Sequence, residues 1–434
     1  MKLAIISTYG EVCGIASYAR AIEKTFKHRF DVTVFDLKTA ALIANEKLNE
    51  TAAAEEHIDQ ICHMLANYDC VNIQMEWDLF GRSIEAIERR VLKLCQASKC
   101  LIITLHSLHL FVRPKPWQDM HHRVFESLKK RSTKQPYWII THLPREAELM
   151  RSVFAIENVT DFPVVYLSNE EVATYRQLDK TAWKKDLGFQ EDDIVILRAG
   201  YLMPHKDQMV SIKSLGLLPQ QYKLAFAGGE YPPIIQTNEV SALVKEATEY
   251  LDNYDEAALK ARQHYGAEAR TLGDRIRFLG NISDSELYTA LACTDFVTIT
   301  HLESGQGASG IASIALQLEQ QVILSYNRLF LEYNKYYRGG FSFFTMGNHY
   351  ELRDKILNFK PATKALLGDY GKKYSLDKLA ELFRSIYQNM LDGKFNNAGQ
   401  SITIDRREVT AEPNVRPRTG QMSSFIRKHF TNNS

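Results

Sequence analysis

Short β-rich apolar runs alternate with amphipathic stretches along almost the whole chain, and the alternation starts over once, near residue 180. In the first series the runs are residues 3–7, 32–35, 70–74, 101–105, 138–141 and 164–167, separated by helical patterns such as 15–26, 55–67, 84–97 and 117–130. A polar helix over 180–186 leads to a second series at 194–198, 223–227, 276–279, 296–300, 322–325 and 341–344. Runs and helices alternating in this way predict βαβ units, parallel sheets covered on both faces, and right-handed crossovers. Two such series predict an α/β protein of two Rossmann-like domains, residues 1–180 and 181–375, facing one another. In sheets of this kind ligands bind beyond the carboxyl ends of the strands, so the cleft between the domains is the expected site. A further helical pattern over 376–393 is expected to pack back on the N-terminal domain, and residues 394–434, rich in Asn, Arg and Pro, read as a flexible tail.

Composition narrows the classes of function. The chain has 434 residues, too many for one core, and its 45% hydrophobic and 24% charged content is that of a soluble globular protein. A formal charge of +1 gives no bulk attraction to nucleic acid or to a membrane. The six cysteines are scattered without a CxxC pair or metal-like spacing, as reduced thiols in a cytosolic protein would be. The first apolar run is closed by Tyr9-Gly10-Glu11 before it reaches the length of a signal peptide, and no stretch approaches the roughly 20 apolar residues of a membrane span. The expected location is therefore the cytoplasm. A basic amphipathic turn at 424–430 leaves peripheral contact with the inner face of a membrane open. The cluster His121-His122-Arg123 with Lys129-Lys130-Arg131 reads as a solvated helix face, or as a local basic patch for an anionic surface.

The chemistry concentrates in the run Thr300-His301-Leu302-Glu303-Ser304-Gly305-Gln306-Gly307-Ala308-Ser309-Gly310. It follows a strand, and small residues dominate from Gly305 to Gly310, where backbone can approach a ligand closely. A helix starting near Ser309 would aim its free N–H groups and positive dipole end into the turn, which suits a phosphate. The other positions that carry chemistry follow strand ends. They are Gly14, Glu76, His106, His142, and the segment Ala199-Gly200-Tyr201-Leu202-Met203-Pro204-His205-Lys206-Asp207.

Taken in order, these motifs resemble the GT-B glycosyltransferases of the retaining group called glycosyltransferase family 4. Gly14-Ile15-Ala16-Ser17-Tyr18-Ala19-Arg20 is similar to that family's glycine-rich loop and helix start. Val71-Asn72-Ile73-Gln74-Met75-Glu76-Trp77 is similar to a strand end of the form hydrophobic-x-hydrophobic-Gln-x-Glu-aromatic, and Thr104-Leu105-His106 to its Thr-x-His turn. Residues 199–207, 277–287 and 293–310 continue the series, so the resemblance covers about residues 1–390. It implies hexosyl or related glycosyl transfer from a nucleotide-diphosphate sugar to a glycan, a lipid-linked molecule or another acceptor, with retention. It also implies no bound metal and no cofactor beyond the donor itself.

By that resemblance Lys206 is the cation for the leaving diphosphate, with Gly14, Gly200, Tyr201, Glu303, Gly305, Gln306, Gly307, Ala308, Ser309 and Gly310 around the donor. His106 contacts the transferred sugar, and Glu76 and His142 lie on the acceptor side. The chain also departs from the family. The glycine-rich motif usually carries two glutamates, one for the sugar and one on the next helix for the ribose. Counting back from 322–325 without gaps places Gln306 at the first position and Ile314 at the second. An amide still donates and accepts hydrogen bonds, whereas an isoleucine cannot bond a ribose hydroxyl. The basic residue that commonly follows the second-domain glycine is replaced by Tyr201. Three readings therefore stand: an active transferase, a catalytically inactive GT-B scaffold that binds a glycan or partner, and a relative that acts on a protein or nucleic-acid acceptor. Nucleic acid is the least expected partner on charge, and oligomeric state is left open.

Overall fold

The computed structural model describes residues 1–48, 51–109, 113–131, 135–229, 238–265, 271–302, 307–337, 340–359 and 370–393. Twelve parallel strands form two six-stranded sheets. In the first lobe these are β1 (Lys2–Ser7), β2 (Asp31–Asp36), β3 (Cys70–Met75), β4 (Leu101–Leu105), β5 (Tyr137–Thr141) and β6 (Val159–Asp161), in the order β2-β1-β3-β4-β5-β6. The second lobe has β7 (Ile194–Ala199), β8 (Tyr222–Ala227), β9 (Ile276–Phe278), β10 (Phe296–Ile299), β11 (Val322–Ser325) and β12 (Phe341–Phe344), ordered β12-β11-β10-β7-β8-β9. Every residue of β3, β4 and β5 is buried, as a sheet covered on both faces requires.

The covering helices of the first lobe are α1 (Gly14–Phe26), α2 (Thr39–Lys47), α3 (Thr51–Leu65), α4 (Ile84–Ala97), α5 (Lys115–Lys129) and α6 (Pro144–Phe154). Two short helices, α7 (Asn169–Tyr175) and α8 (Lys180–Asp186), follow before β7. The second lobe carries α9 (Gln208–Gly216), α10 (Asn238–Tyr265), α11 (Asp284–Cys293), α12 (Gly310–Gln317), α13 (Arg328–Tyr336) and α14 (His349–Leu357). The C-terminal helix Leu376–Leu391 lies against α1. Phe383 meets Phe26 at a ring separation of 5.1 Å, and Asp377 pairs with Arg29 at 3.2 Å.

One expected strand is not a strand. The sixth ladder position of the first sheet is taken by Val159–Asp161, and the apolar run 164–167 that follows Pro163 joins no strand ladder among the described residues. Its backbone is met instead by side chains of α12 and by the start of the C-terminal helix, where Leu376 N donates to Leu167 O at 3.1 Å. Gln317 Oε1 accepts from Tyr166 N at 2.9 Å and Leu167 N at 3.3 Å, Gln317 Nε2 donates to Leu167 O at 2.9 Å, and the Ser313 hydroxyl donates to Val164 O. The segment is buried, clamped between lobes, and these bonds pair Val164 O, Tyr166 N, Leu167 N and Leu167 O. A single apolar cluster runs from Leu3 and Ile5 through Val164, Val165 and Leu167 to Val195, Leu197 and Phe383.

Strand order fixes where the chain reverses. In the second sheet β7 runs on through β8 to β9, while β10 lies on its other side, so the turns after β7 and β10 flank a topological switch point. The first sheet reverses in the same way between β1 and β3. Crevices of this kind open at the carboxyl ends of the strands.

Candidate functional site

The two turns at the second switch point are tied together. Thr300 Oγ1 donates to the carbonyls of Lys206 at 2.6 Å and Asp207 at 2.9 Å, and Leu302 N donates to His205 O at 2.7 Å. Arg198, fully buried at the end of β7, folds back to donate to Gly200 O at 3.0 Å and Lys206 O at 2.9 Å. Gly200 has φ +109, and Lys206 Nζ comes within 3.0 Å of where a Cβ would stand there, so only glycine leaves that space to the ammonium.

Among the described residues, Lys206 forms no ion pair. Its side chain keeps a minor share of its surface in solvent, but the ammonium is packed round by protein, 5.7 Å from the Tyr201 ring centroid. Burial, and then the Arg198 guanidinium, push its pKa down to about 7. Arg198 is itself pushed down to about 10 by burial. His301, buried with Nδ1 unpartnered, is held well below its ordinary value by burial and then by Lys206, Arg198 and His205. Among the described residues Asp207 is the carboxylate that acts on Arg198, and Lys206 has none paired with it, so the cluster offers a place for an anion.

The glycine-rich turn lies beside this cluster. Glu303, Gly305 and Gln306 fall outside the described residues. From Gly307 onward the chain leans on the first lobe. Gly307 N donates to Ser107 Oγ at 3.2 Å, and a Cβ on Gly307 would overlap the His106 carbonyl oxygen and stand 2.7 Å from Ser107 Oγ. Ala308 packs on the shared apolar cluster. Ser309 caps α12 by accepting from Ala312 N at 3.3 Å, and its backbone is bracketed by Tyr333 Oη, which accepts from Ser309 N at 3.1 Å. A Cβ on Gly310 would stand 2.8 Å from Tyr166 Oη, whose hydroxyl donates to Gly14 O at 3.3 Å. Gly14 opens α1, and α1 reaches the second lobe through Ser17 and Arg20, both bonded to Asp284, at 2.9 and 3.1 Å. Thus Gly14, His106, Gly307 and Gly310 are brought together, with Gly200, Tyr201 and Lys206 on the adjoining turn. Ile314 is buried in the apolar cluster.

On the first lobe His106 directly follows β4. Its Nε2 meets Gln74 Oε1 at 2.8 Å, and Gln74 in turn donates to Asn72 Oδ1. Burial, and then the neighbouring His142, hold the imidazole well below its usual value, so it is neutral and its Nε2–H is the donor. The His142 ring lies 4.9 Å away, with Nδ1 bonded to Phe162 O at 3.0 Å and Nε2 buried without a partner. Tyr18 packs edge-on against both rings. Glu76 makes a local pair with His109 at 3.2 Å.

Reading the sequence did not single out Arg198, His301, Asp284 or Glu146. A lone arginine in the apolar strand Ile194–Ala199 was the one local signal among them. Glu146, on the first turn of α6, is buried. Among the described residues no cluster of three or more His, Cys, Asp or Glu is suited to a metal, and no helix is long and apolar enough to cross a membrane.

The chain matches no protein-family model, and no curated protein matches it by sequence. Solved structures do resemble it. HepE of Anabaena in complex with UDP and glucose aligns with a TM-score of 0.59 at 14% identity, over 90% of this chain and 100% of that one. A glycosyltransferase from Rickettsia africae gives 0.62 at 13%, over 90% and 98%. Sucrose-phosphate synthase from Thermosynechococcus elongatus gives 0.61 at 17%, over 90% and 99%. At these identities the likeness is one of fold, the two-lobed GT-B architecture.

Proposed function

We propose that the protein transfers a glycosyl group from a nucleotide-diphosphate sugar to a glycan, a lipid-linked molecule or another acceptor. The observation that carries this reading is Lys206, a cation without an ion-pair partner among the described residues, held at a switch point beside the glycine-rich turn and the start of α12. When the bond from the anomeric carbon to the diphosphate breaks, negative charge collects on the departing phosphate oxygen and positive charge on the sugar. Lys206 and the N-terminal dipole of α12 act on the first. Neutral His106 and the carbonyl beside it face the second. Lys206 recovers its proton as the diphosphate arrives, because an anion beside it reverses the effect of burial. The reaction proceeds with retention and needs no resident metal. The complexes of HepE with UDP and UDP-glucose support a donor of this class.

The test is thermal stabilisation by UDP, GDP, ADP, CMP and their sugars, with Lys206→Ala as control. A nucleotide at 100 times its Kd stabilises by about 2.7 kcal/mol. A shift with one nucleotide that the substitution abolishes supports the reading, and no shift with any overturns it. Burial of Ile314 favours a second reading, a scaffold that binds a glycan or partner without turnover, because α12 offers no carboxylate to a ribose at that position. Nucleotide binding without hydrolysis or transfer of any sugar is its signature.

A further inference from the structure

Glu146 has a place in the fold that its surface-like sequence context does not explain. It stands on the first turn of α6, only 7% exposed. One carboxyl oxygen, Oε1, accepts from Leu108 N at 3.0 Å, while Oε2 is buried and has no partner among the described residues. Two segments that touch the glycine-rich turn lie against it. Leu108 follows Ser107, the residue that holds Gly307 N. The residue before Glu146, Arg145, donates its backbone N–H to Glu332 at 3.1 Å, and the residue after Glu332 is Tyr333, which brackets Ser309. His142, at the start of the same loop, contributes the second buried and unpartnered atom, its Nε2. Two buried polar atoms left open within one short segment are costly unless something completes them.

The charges around Glu146 do not compensate it. Glu76 and Glu332 are its acidic neighbours, and Arg145 is the nearby cation. Burial, the largest influence, pushes its carboxyl up to about 8. At neutral pH it is therefore a carboxylic acid, able to donate as well as accept. That is the chemistry of a group made to pair with a hydroxyl.

We propose that Glu146 Oε2 takes a hydroxyl of the transferred sugar, so that the first lobe supplies the carboxyl for which the glycine-rich turn carries the amide of Gln306. This rests on the donor reading above. Glu146 is a sugar-binding residue in this assignment, and His142 Nε2, the other open atom of the segment, is an acceptor.

Calorimetry with UDP and UDP-glucose, or with the pair whose base the nucleotide screen selects, tests the assignment on the full chain. The quantity read is the ratio of the two dissociation constants. Glu146→Ala lowers the advantage of the nucleotide sugar over the nucleotide by about tenfold, the worth of one hydrogen bond to a buried group, and leaves the nucleotide itself unaffected. Glu146→Gln, neutral and isosteric, keeps the advantage within about threefold. Analogues of UDP-glucose that each lack one hydroxyl give a second measurement on the wild-type protein, which needs no variant to fold. One of them loses the advantage, and Glu146→Ala adds nothing further for that analogue. An unchanged ratio in Glu146→Ala overturns the assignment, as does an equal loss for nucleotide and nucleotide sugar. Wild-type protein that binds no nucleotide overturns the donor reading itself, an outcome distinct from the other two.

Discussion

Replacing Lys206 with methionine is expected to stabilise the protein while removing nucleotide binding. The stem keeps its volume and packing, and only the ammonium is lost. In the folded chain that group titrates near 7, against 10.5 for an ordinary lysine. Below pH 7 it is charged in both the folded and the unfolded chain, so folding carries the full cost of confining it. Between pH 7 and 10.5 the unfolded chain binds the proton and the folded chain does not, so wild-type stability rises through this window. Above 10.5 the cost is gone. Its ceiling, from the gap between the two values, is about 5 kcal/mol, and partial exposure with local relaxation reduces it to about 1–2 kcal/mol. For a chain of this size that is a Tm gain on the order of 2 °C at pH 6, shrinking toward zero at pH 10. Differential scanning fluorimetry across that range, with and without UDP, reads both effects. A variant less stable than wild type at pH 6, or a difference that does not change with pH, would refute the claim that Lys206 is confined without a counter-charge.

Gly307→Ala forces a methyl into the His106 carbonyl and Ser107, so either the lobes part or the turn shifts. A loss of about 1–3 kcal/mol or a larger radius of gyration is expected, and unchanged Tm and scattering would contradict that contact. Gln317→Leu strips the partner from Tyr166 N and Leu167 N and one of two donors from Leu167 O, and denaturant unfolding should register a loss of about 2–4 kcal/mol. Turnover should be indifferent to EDTA, and activity lost on chelation and restored by a divalent cation would contradict the metal-free reading.

Most of the architecture was legible because it rests on local patterns. Runs such as 101–105 and 138–141 are apolar but for one threonine each, as strands buried on both faces tend to be, and the turns after them carry polar residues. The run 164–167 has the same composition, yet its backbone is read by Gln317, 150 residues further on from Leu167. No window on the sequence contains that partner. The positions of Lys206, His106 and Gly307 at strand ends followed from glycine and strand spacing. Glu146 did not, because an acid on the first turn of a helix normally faces water, and only the packing of Leu108 and α13 around it makes it buried and neutral. The same holds for Asp284, whose partners Ser17 and Arg20 come from the other lobe.

The clamp on residues 164–167 also bears on how the molecule comes apart. The first lobe ends in a segment whose amides and carbonyls find partners on α12 and at the start of the C-terminal helix, and the apolar cluster beneath it draws on β1, β7 and the C-terminal helix at once. Neither lobe can then reach its final energy alone, and a chain cut near residue 180 leaves buried peptide groups unpaired in the first fragment. The lobes should melt together in one calorimetric transition, and their separate expression should yield fragments that become compact only when mixed.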